Sequence, residues 1–213
     1  MRATLQQAVA LILQHEGGYV NHPNDPGGCT NQGITIGTYR EHINQEGTCN
    51  DLRNMPQSEA ERIYRDTYWA GVNGDGLPPG LDLAVFDMGV NAGPKRAVKL
   101  LQRVLGVAQD GIAGPITVAA AWAADAGELI SAYHDARMTH YRSLSSWRTF
   151  GRGWSNRAEK TTRIAHEIVD NPAPDEPPPV VEPEDPGTTF ALLLNGEEIA
   201  RLTLSNKMSF KPV

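Results

Sequence analysis

The stretch "QHEGGYVNHPNDPGGCTNQGIT", residues 14–35, begins where an apolar run stops. Upstream, "ATLQQAVALILQHE" puts Leu5, Ala8, Val9, Ile12 and Glu16 at i, i+3, i+4, i+7 and i+11, the spacing of one helix face. Glu16 therefore falls inside an apolar stripe. Gly17 can supply the left-handed residue that ends the helix. A carboxyl group there is partly desolvated and sits at the negative end of the helix dipole. Both effects disfavour the charged form and raise its pKa. An acid kept protonated beside a loop is suited to protonate a leaving oxygen. The bland alternative is a glutamate that reaches solvent at a helix end, or pairs with an arginine.

Working outward, residues 17–37 are rich in Gly, Pro, Asn and Asp and read as a long loop or short hairpin. Helical patterns follow. "IGTYREHIN" is one. "MPQSEAERIYRDTYWAGV" is another, with Ser58 as the expected N-cap and Ile63, Tyr64, Thr67 and Tyr68 on one face. "GLDLAVFDMGVNAG" is apolar almost throughout and reads as a buried central helix. "PKRAVKLLQRVLG" starts at Pro94, where the missing N–H costs nothing. "DGIAGPIT" is a turn into "VAAAWAADAGELISAYHDARMTHYRSL". Trp147 and Trp154 flank a Gly/Arg-rich turn, and "NRAEKTTRIAHEIVDN" closes the helical body.

The composition then shifts. Residues 171–188 hold seven prolines and five acids with no Lys or Arg, which predicts an extended linker. "FALLLNGEEIARLTL" has Asn-Gly between two apolar runs, the signature of a β-hairpin. The expected organisation is a catalytic region over 1–94, a second helical region over 95–171 packed on it, a linker over 172–187 and a hairpin tail over 188–213.

Charge and composition exclude several classes. The 213 residues carry 19 Lys+Arg against 25 Asp+Glu, and 40% are hydrophobic. Residues 1–171 have a net charge of −2 and residues 172–213 one of −4, so the body is near neutral and no basic footprint for nucleic acid is present. No run approaches 18 apolar residues, so no membrane span is expected. Gln6, Gln7 and Gln14 interrupt the N-terminal segment, and no signal peptide is expected. The histidines lack metal spacing, and neither a metal nor a cofactor is implied. Cys29 and Cys49 read as free thiols, with a single bridge as the alternative.

The residues of the opening stretch also carry a resemblance. Glu16, Asp25 and Thr30 resemble the Glu, Asp, Thr arrangement of phage-type lysozymes, with Asn31 as the other candidate for the third place. "HEGGYVNHPNDPGGCTNQGIT" resembles the opening signature of glycoside hydrolase family 108, the N-acetylmuramidases of the lysozyme superfamily. The resemblance continues through "YRDTYW" (64–69), "FDMGVNAGPKRAVKLLQ" (86–102), "DGIAGP" (110–115) and "FGRGWSNR" (150–157). Residues from about 95 to 165 resemble its predicted peptidoglycan-binding half. The resemblance implies a mostly α, lysozyme-like helical domain with a small loop or β-hairpin region near the active site, here followed by a β-hairpin tail.

It also implies hydrolysis of the β-1,4 bond between N-acetylmuramic acid and N-acetylglucosamine, with Glu16 as the acid. The enzyme would be a phage endolysin made in the host cytoplasm and acting on the wall after release. A lytic transglycosylase and a non-catalytic wall-binding protein are the alternatives. Asp25 is either the base that holds water or a turn residue before Pro26. Tyr19, Asn31, Thr35, Tyr68, Trp69, Asp87 and Asn91 are candidate substrate contacts, the aromatics by stacking on sugars. Self-association through the tail hairpin is also expected.

Overall fold

The computed structural model describes residues 2–15, 18–21, 28–171, 189–194, 197–203 and 209–212. Residues up to Ala173 form one unit and residues from Pro174 a second. The first unit is mostly helical, as expected. Helix α1 (Arg2–His15) is followed by a two-stranded antiparallel sheet, β1 (Thr30–Asn31) and β2 (Ile34–Thr35). Then come α2 (Ile36–His42), α3 (Cys49–Arg53) and α4 (Gln57–Ile63). Helix α5 (Leu81–Ala92), α6 (Pro94–Leu105), α7 (Pro115–Ala123), α8 (Ala126–Arg142) and α9 (Trp147–Asp170) complete the unit.

Helix α5 is the axis of the core. Every residue from Leu81 to Gly89 is buried, which explains why its sequence shows an apolar run rather than a stripe. Gly80, the N-cap, has φ +85, and a Cβ there would lie 2.5 Å from the Ala165 carbonyl of α9. Only glycine allows that conformation and that approach. Around α5 pack Ala8, Val9, Leu11 and Ile12 of α1, Ala97, Val98 and Leu101 of α6, Ile130 and Tyr133 of α8, and Ala158 and Ala165 of α9, all buried.

Three boundaries differ from the sequence reading. Helix α4 begins at Gln57 with Pro56 as N-cap, so Ser58 lies inside it. The run after "DGIAGP" is two helices, because the Asp125 side chain accepts from the Glu128 N–H and caps α8. Helix α9 starts at Trp147, so the Gly/Arg-rich segment is helical. A Cβ on Gly151 would meet the Trp147 ring at 2.7 Å, and glycine lets that ring close over the first turn.

A fourth difference concerns the cysteines. Cys29 and Cys49 form a disulfide, with Cα atoms 5.8 Å apart. The free-thiol reading is overturned because the fold brings α3 against β1: the Asn31 amide donates to the Leu52 carbonyl (2.9 Å) and the Arg53 carbonyl (3.2 Å). The bridge spans 20 residues, and closing a loop of that length constrains the unfolded chain by about 3 kcal/mol. Urea unfolding with and without reductant is expected to show a loss of about that size in the wild type and none in Cys49→Ser. A wild-type midpoint insensitive to reductant would contradict the bridge.

The second unit is an antiparallel sheet in the order β3 (Thr189–Leu194), β4 (Glu197–Thr203), β5 (Ser209–Pro212). The expected hairpin is present, with a third strand beyond it. β5 is four residues long and ends in proline, a composition that gives little strand signal and fits an edge.

Candidate active site

The site is assembled from the end of α1 and the sheet that follows. Helix α1 ends at His15, one residue before Glu16. Glu16, Gly17 and Asp25 lie outside the described residues. Their flanks are within them. Val20 and Thr30 exchange both backbone hydrogen bonds, each 2.8 Å, so the segment that carries Asp25 is closed at its base. Cys29, fully buried and bridged to Cys49, ties the same base to α3.

The turn after β1 is set by Gln32 (φ 50) and Gly33 (φ 74). Two positive φ values in succession form the hairpin turn whose twist matches the strands. Its position is fixed from outside. The Gln32 amide donates to the Met55 carbonyl (3.1 Å), and the Tyr64 hydroxyl donates to the Gln32 carbonyl (2.9 Å).

The candidate residues divide by exposure. Tyr19 is half-buried, with the Arg53 guanidinium 4.2 Å over its ring. Thr30 is half-buried, and its backbone is held in the ladder. Asn31 is 6% exposed, and its amide is engaged with α3. Thr35 is exposed and caps α2 by accepting from the Thr38 N–H. Tyr68 and Asn91 are half-buried.

Trp69 and Asp87 do not face solvent, and the expectation of direct sugar contact is corrected for both. Residues Tyr64–Trp69 form a π-helical turn that continues α4. The wider turn rotates both Tyr64 and Trp69 into the core, where each packs edge-on to Phe86. The Trp69 indole N–H donates to Asp75. Such turns are frequent at functional sites, and this one places half-buried Tyr68 5.7 Å from the Tyr64 ring.

Asp87 is fully buried. Arg137 donates to one carboxylate oxygen at 2.6 Å and Arg157 to the other at 2.8 Å. Burial pushes its carboxyl up, and the two guanidiniums more than offset that, holding it below the usual carboxylate range. Arg137 also donates to the Tyr141 hydroxyl (2.8 Å), which donates to the Asn91 side-chain oxygen (2.9 Å). The two arginines were not singled out by sequence reasoning. Arg157 closes the motif "FGRGWSNR", but only the fold pairs it with a residue 70 positions earlier. Five residues before Asp87, buried Asp82 is pushed up to about 7 by burial, and one of its carboxyl oxygens has no hydrogen-bond partner among the described residues.

This frame has a family. Residues 9–93 match the family described as Glycosyl hydrolase 108, and residues 96–159 match the Predicted Peptidoglycan domain. The structure of Brucella abortus SagA superimposes with a TM-score of 0.75 at 38% identity, over 81% of this chain and 99% of that one. The chain belongs to the glycosyl hydrolase 108 family. It is a glycoside hydrolase of the N-acetylmuramidase type, and peptidoglycan is its substrate. No curated protein matches the chain. Among the described residues, no helix is long and apolar enough to cross a membrane.

Proposed function

We propose that this muramidase hydrolyses the β-1,4 bond between N-acetylmuramic acid and N-acetylglucosamine, with Glu16 as general acid and Asp25 as the base that holds the attacking water. The observation that carries this reading is the closed base of residues 20–30. Helix α1 packs its apolar side into the core and ends one residue before Glu16, and the Val20–Thr30 bridge and the Cys29–Cys49 disulfide anchor the segment with Asp25. Thr30 suits the third place better than Asn31, because the Asn31 amide hydrogens already serve α3. Tyr19, Thr35, Tyr68 and Asn91 retain accessible surface for sugar contact. Asp87 acts from below through Arg137 and Tyr141.

A water between two carboxyl groups requires them to be about 6.5–9.5 Å apart and inverts the anomeric centre. Proton NMR of the first-formed product on a soluble glycan is expected to show the inverted anomer. Retention would remove Asp25 from the base role.

The enzyme acts on the cell wall after release from the cytoplasm that made it, as a phage endolysin does. The disulfide fits work in an oxidising compartment. The tail serves association rather than catalysis. Its β5 edge carries Lys211 and Pro212, which discourage pairing, whereas "TFALLL" of β3 presents the opposite edge without either. The β3 edge pairs with that of a second copy. Truncation after Asn171 is expected to convert a light-scattering dimer to a monomer with activity on soluble fragments intact. A monomeric full-length chain, or a truncated chain without activity, would contradict this.

A further inference from the structure

Three aromatic rings step from the surface of α9 into the core. Phe150 is 55% exposed, an uncommon position for a phenylalanine on a helix whose inner side is well packed. Its ring lies 5.8 Å from that of half-buried Trp154 at 34° between planes, and Trp154 lies 5.1 Å from buried Tyr141 at 31°. At the inner end the hydrogen-bond directions are fixed. Arginine only donates, so the Arg137 contact occupies an acceptor site on the Tyr141 oxygen and leaves its proton to Asn91. Asn91 must therefore turn its oxygen toward Tyr141. Its amide nitrogen faces the other way and has no hydrogen-bond partner among the described residues.

From this we infer a sugar-binding subsite composed of Phe150, Trp154 and Asn91, which takes an N-acetylhexosamine unit of the glycan. Such a sugar has an apolar C–H face, which the outer rings of the ladder can cover, and an acetamido carbonyl, which accepts from an amide donor. Ligand sites typically combine an apolar wall with a few oriented polar groups, and both parts are present here on rigid helices. The subsite is also composite. Asn91 belongs to the stretch matched by the hydrolase family and the three aromatics to the stretch matched by the peptidoglycan domain. It would hold the glycan to both halves at once. The inference rests on peptidoglycan glycan being the substrate and is independent of which residue is the acid.

The test is co-sedimentation of full-length variants with purified insoluble peptidoglycan on ice, with soluble N-acetylglucosamine oligomers as competitor. Phe150 is exposed, so its substitution spares the core. Phe150→Ala and Phe150→Leu are expected to weaken binding at least about fivefold, the effect of removing a contact that matters in an interface. Phe150→Tyr, which keeps the ring, is expected to bind within about twofold of wild type. Asn91→Asp keeps an oxygen for Tyr141, has no amide hydrogens, and is expected to weaken binding as Phe150→Ala does. The oligomers should displace the wild type. Wild-type binding by the Leu variant, loss in the Tyr variant, unchanged binding by Asn91→Asp, or failure of the oligomers to compete would each overturn the subsite. Because the readout is binding without turnover, it stands whether or not Glu16→Gln proves inactive.

Discussion

Glu16→Gln is expected to reduce clearance of purified peptidoglycan by at least about 100-fold while leaving unfolding midpoints close to wild type. The amide is nearly isosteric with the acid and cannot donate a proton to the leaving oxygen. General acid catalysis contributes about 10²–10⁴-fold, so the lower bound alone is easily measured. The fold should tolerate the change because the apolar contacts that seat α1 come from Ala8, Val9, Leu11 and Ile12. Zymography with a parallel melt separates lost chemistry from lost structure. A Gln variant that clears peptidoglycan at near wild-type rate would remove Glu16 from the mechanism.

Asp87→Asn is expected to destabilise the protein by about 3–5 kcal/mol, the cost of leaving buried charge uncompensated. The carboxylate is fully buried between Arg137, itself 2% exposed, and Arg157. A neutral amide there leaves the Arg137 guanidinium without the charge that offsets its desolvation. The pH dependence follows from the sign of the shift. The folded-state pKa of Asp87 lies below its unfolded value, so its contribution is full above the unfolded value, near 4. It is lost as pH falls through the folded value. The difference between wild type and Asp87→Asn in urea unfolding is therefore expected to be constant at neutral pH and to shrink in acid. A difference below about 1 kcal/mol at pH 7 would contradict a buried, paired role.

Much of the architecture was readable from local chemistry. The α1 stripe, the apolar run of α5 and Pro94 at the start of α6 each carry a local signal, and each element lies where that signal puts it. The unread parts depend on tertiary context. A wheel at 3.6 residues per turn separates Tyr64 from Trp69, and the π turn buries both. Asp82 and Asp87 sit on one helix with similar neighbours in sequence. Only the packing of α8 and α9 decides that, among the described residues, Asp87 is the one held by two arginines. The disulfide depends on α3 folding back onto β1, which the spacing of two cysteines does not encode. Within the candidate site, residue type suggested Asn31 and Trp69 as substrate contacts, but the hydrogen bonds each makes inside the fold use them for structure.

The most direct test of the central claim is the chemistry of the new glycan end. Peptidoglycan digested by the wild-type enzyme in ¹⁸O-labelled water is analysed by mass spectrometry. Hydrolysis by an activated water predicts a reducing N-acetylmuramic acid end that carries the label, and its disappearance in Glu16→Gln. A 1,6-anhydro end without label, or glycan left intact by the wild type, would contradict it.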